Sequence, residues 1–291
     1  ANNTAMGYKA LNSNTSGGHN TGTGANELVA NTAGVSNNAN GYNSLFNNTS
    51  GNFNTAEGDS SLYQNTTANN NVGLGYAALY STSTGGLNTA VGNAAGFSNV
   101  SGTGNTYLGS GAGLLAGGAL SNYTALGAGA GSASAANNYL DLGNLAVSII
   151  RANTTTITAY SDRRVKDNVS ENVPGLSFIT KLRPVTYTYN IHREYEIMNG
   201  KPDTSNWVGK YDIEKIRQTG FIAQEVEKAA AEAGFDFPGL HKPSSANDLY
   251  GIKYSDFVMP MVKAIQEQQT MIEQQKKTNE ELLQMIKQLQ Q

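Results

Sequence analysis

Ser161 and Lys166 stand five residues apart in the run Ser161-Asp162-Arg163-Arg164-Val165-Lys166, a pairing that offers covalent chemistry. A serine hydroxyl becomes a useful nucleophile only when a base takes its proton, and a lysine is such a base only while neutral. Removal from water lowers a lysine's pKa and can supply that neutral form. Taken alone, Ser-Asp followed by basic residues is more commonly a helix or turn cap. The position of the run changes that weighting. An almost charge-free repeat array ends just before it and an ordinary charged sequence follows, so a cut there would separate unlike halves.

The charges make the seam visible. Residues 1–150 hold one cation, Lys9, and four acids, Glu27, Glu57, Asp59 and Asp141, leaving 18 of the 19 Lys/Arg and 18 of the 22 Asp/Glu to 151–291. At 291 residues the chain has room for two or three domains, and halves so different do not share a core. A net charge of −3 gives no basic field for nucleic acid or an anionic membrane. With no cysteine there are neither disulfides nor thiolate chemistry, which is compatible with an extracellular setting. No apolar run is long enough to span a bilayer. The sequence opens in mid-repeat without a signal peptide and reads as a piece of something longer.

The array has a period of 17 residues. Glycines fall at Gly7, Gly24, Gly41, Gly58, Gly75, Gly92 and Gly109, and an asparagine stands four residues before each, from Asn3 to Asn105. Leu11, Leu28, Leu45, Leu62 and Leu79 follow four residues after, replaced by Gly96 and Gly113 in the last two units. An eighth unit around Gly127 is displaced by one residue. Seventeen residues are too few for a helix pair but suit short strands joined by turns, stacked as a β-solenoid. The glycines mark turns that need positive φ or close backbone approach, and the asparagines are placed to form ladders from rung to rung. One large apolar residue per rung is a thin core. Phe46, Tyr63, Tyr80, Phe97 and Leu114 share a register, and their burial between chains points to an oligomer, most simply a trimer.

Residues 139–160 turn β-branched and apolar and read as strands that close the array. Beyond the seam, 179–189 alternates like a strand, 191–218 is a polar insertion holding Trp207, and 220–223 reads as a strand leading into a helix to about Ala233. Gly251–Tyr254 is a short strand, and Ser255 is expected to cap a long C-terminal helix with Pro260 in its first turn. In that helix Val258, Ile265, Ile272, Asn279 and Ile286 form one heptad position, and Val262, Gln269, Lys276, Leu283 and Gln290 the other. That pattern fits a coiled coil with polar layers.

Two resemblances follow. The repeat pattern Asn-Thr-Ala-x-Gly-x-x-Ala-Leu resembles the heads of trimeric bacterial adhesins and the shafts of tail fibres, although adhesin heads usually have a shorter period. From 161 onward, Ser161-Asp162-x-Arg164-x-Lys166, Gly220-Phe221-Ile222-Ala223-Gln224-Glu225-Val226, and Tyr254-Ser255-Asp256-Phe257 leading to Pro260, Val262 and Ala264–Glu267 resemble one family. It is the intramolecular chaperone domain of phage tail spikes and fibres, endosialidases included, also called the S74 peptidases.

That resemblance implies a mainly β homotrimer: a 17-residue-repeat β-solenoid shaft (1–138), a β connector (139–160), a small α+β chaperone domain (161–255) and a trimeric coiled coil (256–291). It implies Ser161 as nucleophile and Lys166 as general base, cutting between Tyr160 and Ser161, with Asp162 and Arg164 supporting the turn or forming an ion pair. The partners implied are two further copies of the chain, and a cell-surface glycan or receptor meeting the shaft. The setting is extracellular, on a virion or a bacterial appendage. The alternative is a fibre that is never cut, its C-terminal domain a permanent trimerisation clamp. A membrane-tethered regulator is a remote third reading.

Other signals carry less. Gly109-Ser110-Gly111-Ala112-Gly113 resembles a phosphate loop, but the repeat explains Gly109 and no lysine follows. His19, His192 and His241 are too scattered for a metal site, and no cofactor is expected. Asn14-Thr15-Ser16 and similar sequons arise from the repeat. Glu57 and Asp59 are the only close carboxylates in the array, and glycoside hydrolysis needs more than their proximity. Tyr8, Tyr42 and Tyr76, each just after a rung glycine, could give sugars a stacking face, with packing between chains the more ordinary use.

Overall fold

The computed structural model describes residues 2–114, 116–131, 135–144, 146–147, 160–204 and 209–290. The chain divides into two compact units, Ala1–Ile149 with Asn190–Ile213, and Ile150–Tyr189 with Glu214–Gln291.

The first unit is a β-solenoid. Nine three-residue strands, Thr4–Met6, Thr21–Thr23, Asn38–Asn40, Thr55–Glu57, Val72–Leu74, Thr89–Val91, Thr106–Leu108, Thr124–Leu126 and Leu140–Leu142 (β1 to β9), pair in parallel in chain order. Register advances by 17 residues from β1 to β7, and by 18 from β7 to β8. The displaced eighth unit is thus a true rung, and Leu140–Leu142 adds a ninth strand within the apolar connector. Other connector residues, from 148 to 159, lie outside the described residues, as does Trp207.

Strands β2 to β8 turn their central residues inward, and Ala39, Ala56 and Ala90 are fully buried there. Gly7, Gly24, Gly41, Gly58, Gly75, Gly92 and Gly109 follow the strands with φ between 121 and 137°. A Cβ on Gly58 would lie 2.6 Å from the backbone of Gly75 one rung on, so the register demands glycine for its fit as well as its φ. Leu28, Leu45, Leu62 and Leu79 form a fully buried column although each has φ near 50°. A non-glycine residue in the left-handed region costs about 1 kcal/mol, and burying a leucine returns roughly twice that.

Asparagines fill the rest of the interior. Asn37, Asn54 and Asn71 donate their backbone N–H to the side-chain oxygen of the asparagine one rung earlier, at 2.9–3.0 Å. Their side-chain nitrogens donate to backbone carbonyls 14 residues on. A second ladder runs through Asn14, Asn31, Asn48 and Asn65 at 2.7–2.8 Å. The thin apolar core is therefore completed by hydrogen-bonded amides, the Asn65 oxygen excepted. Phe46, Tyr63, Tyr80 and Phe97 stack face to face along the same chain, with centroids 5.1–5.3 Å apart. In the single chain these rings are half-buried and cover one another's faces.

The polar insertion contributes the helix Ile191–Asn199 to this unit. A cavity of about 530 Å³ there is lined by Leu114, Leu140, Leu142, Ile191, Met198 and the buried ion pair of Lys210 with Asp203, among others. The sequence division put 190–213 with the chaperone segment. Its compaction lies instead with the solenoid unit.

In chain order after the seam come helix Leu176–Ile179 (α1), strand Val185–Tyr187 (β10), helix Ile191–Asn199 (α2), strand Gln218–Gly220 (β11), helix Ala223–Glu232 (α3), strands Leu240–His241 and Gly251–Ile252 (β12, β13) and helix Val258–Leu289 (α4). α2 is capped by Asn190, which accepts from the Arg193 N–H, and ends at Gly200 in the left-handed region. The second unit comprises the others. β10 pairs with β11 and β12 with β13, both antiparallel. Phe178 is fully buried among Phe235, Phe237 and Phe257, with ring centroids 5.2–6.1 Å apart. Glu267 of α4 accepts the Leu176 N–H at 2.7 Å and caps α1.

Ser255 does not cap α4. A 3-10 turn, Tyr254–Phe257, runs directly into that helix, and the Ser255 hydroxyl donates to the Asp256 carboxylate. The alternating run 179–189 yields only the three residues of β10, because Leu176–Ile179 is helical and Pro184 just precedes the strand. Along α4, Ile265, Ile272, Leu283 and Ile286 remain half-exposed or more in the single chain.

Candidate functional site

Asp162 shapes the seam. Its carboxylate accepts the Arg164 backbone N–H at 2.9 Å, starting a 3-10 turn at Arg163–Val165. It also takes three further bonds from the Arg164 guanidinium, at 2.6, 3.0 and 3.1 Å. Those bonds hold the Asp162 carboxyl below the usual range and raise Arg164. Arg163, assigned no role by the sequence, donates to the Lys166 carbonyl at 2.6 Å and closes the turn. An arginine able to reach three residues along such a turn is a weak signal that only the fold makes legible.

The consequence is that Lys166 comes back onto Ser161, with Nζ donating to Oγ at 2.6 Å. The two side chains are within reach for proton transfer. All residues from Tyr160 to Lys166 are exposed, Tyr160 at 99 %. A lysine serves as base only where water is kept from its ammonium, and among the described residues of the single chain nothing covers this one. Ser161 Oγ and Lys166 Nζ are thus in hydrogen-bond contact on an exposed turn.

The remaining candidates are dispersed. Glu57 lies on the outer face of β4, and Asp59 accepts from Ser60 at 2.7 Å. His19 sits in a solenoid turn, His192 stacks on Tyr211 at 3.9 Å, and His241 is bonded to Asp248 at 3.1 Å. Among the described residues no three His, Asp or Glu side chains gather as a metal site. Gly113 of the glycine-rich stretch packs closely against the Tyr107 ring.

Residues 161–235 match the Peptidase S74 family, described as the chaperone of endosialidase. The match begins at Ser161 itself. No curated protein and no solved structure matches the chain. Residues 161–235 are thus similar to a chaperone domain of the endosialidase type, and a β-solenoid precedes them in the chain. None of the described helices is long and apolar enough to cross a membrane.

Proposed function

We propose that the chain belongs to a homotrimeric fibre, on a virion or surface appendage, whose C-terminal domain drives trimer folding and then severs itself. The observation that carries this reading is the start of the family match at Ser161, immediately after the repeat array and its connector. The exposed isoleucines and leucines of α4, set at heptad spacing, favour association with two further copies through a coiled coil.

In the cut, Lys166 takes the Ser161 hydroxyl proton while Oγ adds to the Tyr160 carbonyl carbon. The Tyr160–Ser161 C–N bond breaks, and the proton passes to the departing nitrogen. Water then hydrolyses the ester, leaving a Tyr160 carboxylate and restoring the Ser161 hydroxyl. The neutral Lys166 this requires comes from burial at the subunit interface, so cutting follows assembly and makes it irreversible.

Purified full chain, run on a denaturing gel and sized by mass spectrometry, tests this. Fragments 1–160 and 161–291 from the native chain, with intact Ser161→Ala, support it. Equal cutting in Ser161→Ala removes the serine from the mechanism. A trimer that stays uncut in both favours the permanent clamp, which the exposed setting of Lys166 in the single chain also suits.

A further inference from the structure

Two aromatic columns run along the solenoid, and they differ in a way that bears on binding. Phe46, Tyr63, Tyr80 and Phe97 occupy consecutive rungs and cover one another's faces. Tyr8, Tyr42 and Tyr76 occupy alternate rungs, with Ala25 and Asp59 between them in the same register. They are 67, 54 and 58 % exposed. Parallel strands lie about 4.8 Å apart, so these rings recur at roughly 9.6 Å and the three span roughly 19 Å. No aromatic ring stacks on any of them among the described residues, and the Lys9 ammonium lies 5.2 Å from the Tyr8 ring centroid.

That interval is close to the length of two hexopyranose units in an extended chain. In a β-1,4-linked chain successive rings turn over, so every second ring offers the same apolar face, as every second rung here offers a tyrosine. Polar groups accompany the file. Asn43, beside Tyr42, accepts from Asn26 at 3.2 Å, and its own amide N–H groups have no partner among the described residues. Asp59 uses one oxygen for Ser60. With Glu27 buried, the first seven rungs present only Lys9, Glu57 and Asp59 as charges, and Asp59 lies between two of the tyrosines. This surface suits a neutral chain and disfavours a polyanionic one.

We infer that Tyr8, Tyr42 and Tyr76 form a binding track for a neutral, linear β-1,4-linked polysaccharide, one tyrosine under every second sugar. The inference rests on the shaft being a fibre that meets other surfaces; it is independent of the cut at Ser161. Titration calorimetry of the full-length chain, as Ser161→Ala, with cello- and chito-oligosaccharides of two to six units tests it.

Affinity rising steeply up to about five units, the number that spans the track, is expected. Each of Tyr8→Ala, Tyr42→Ala and Tyr76→Ala should weaken hexasaccharide binding roughly tenfold, equivalent to about 1.4 kcal/mol. Ala25 holds this register naturally, so alanine is compatible with the rung, and light scattering reports the assembly of each variant. No binding of either hexasaccharide, or binding unchanged in all three variants, overturns the track. Loss of trimer mass in the tyrosine variants also overturns it, because the file would then be a contact between chains. Failure of the proposed cleavage would appear on the gel alone and leave this titration unaffected.

Discussion

Tyr107 and Gly113 pack so closely that a Cβ on the glycine would lie 2.2 Å from the tyrosine ring. Gly96, on the other side, would bring its Cβ to 2.6 Å. Tyr107 sits at a strand centre where earlier rungs have alanine or glycine, and these two glycines replace the leucines of the earlier rungs. One ring thus fills, from the strand side, the interior space that leucines fill from the turn. The exchange explains a break in the repeat that would otherwise look like decay.

The exchange sets an expectation for thermal unfolding. Tyr107→Ala opens a cavity between two glycines and should cost about 3–5 kcal/mol, as large aromatic truncations in a core do. Gly113→Leu alone should also destabilise by forcing the ring aside. The double variant, which restores the alanine and leucine of earlier rungs, should recover more stability than the two losses summed would allow, measured as a positive coupling in a double-mutant cycle.

The Asn65 side-chain oxygen is buried without a hydrogen-bond partner. In neighbouring rungs that oxygen accepts from the asparagine 17 residues on, but position 82 is threonine, whose hydroxyl donates to the Asn99 carbonyl. Thr82→Asn should complete the ladder and stabilise by about 1 kcal/mol, seen as a higher midpoint in denaturant with an unchanged slope.

Glu27 is fully buried in a register held elsewhere by alanine or serine. Burial raises its carboxyl pKa, offset only partly by its own backbone N–H. A raised folded value means the folded state holds the proton more tightly. The associated stability is present below the ordinary carboxyl pKa and lost as pH rises through the folded value. Glu27→Ser should therefore flatten the decline in melting temperature above about pH 4.3 and raise the melting temperature at pH 7. Melting curves across pH 4–8 for the two chains check both.

Lys166→Met keeps the stem of the side chain and removes its proton acceptor. Under the proposed mechanism it should leave trimer mass unchanged and slow cutting by about a hundredfold or more, the usual worth of a general base. Lys166→Arg should be equally slow, because a guanidinium stays charged. Rapid cutting in Lys166→Arg would show that Lys166 is not the base.

Gly175 approaches the Ala264 backbone nitrogen so closely that a Cβ would lie 2.6 Å away. Gly175→Ala should destabilise by about 1–3 kcal/mol through overpacking. Glu267→Gln, which keeps the bond to the Leu176 N–H but not its charge, should lose at most about 1 kcal/mol. Chemical denaturation of the uncut full chain separates the two.

Spacing and composition alone specify what repeats or stays local. Glycine at a fixed interval dictated the rung, the asparagine column dictated its ladder, and the swing in charge marked the seam where Ser161 and Lys166 stand. These features were legible because each rung meets the next at one constant separation along the chain. Tertiary structure decided whatever depends on variable separation. It assigned 190–213 to the solenoid unit, because buried side chains such as Ile191, Met198 and Lys210 sit beside residues far earlier in the chain. It turned the Phe46 column into a stack within one chain, started α4 after a 3-10 turn, and used Glu267 to cap α1 across 91 residues. A side chain's register can be read from spacing, whereas its partner is fixed only when burial and hydrogen bonding are satisfied together in space.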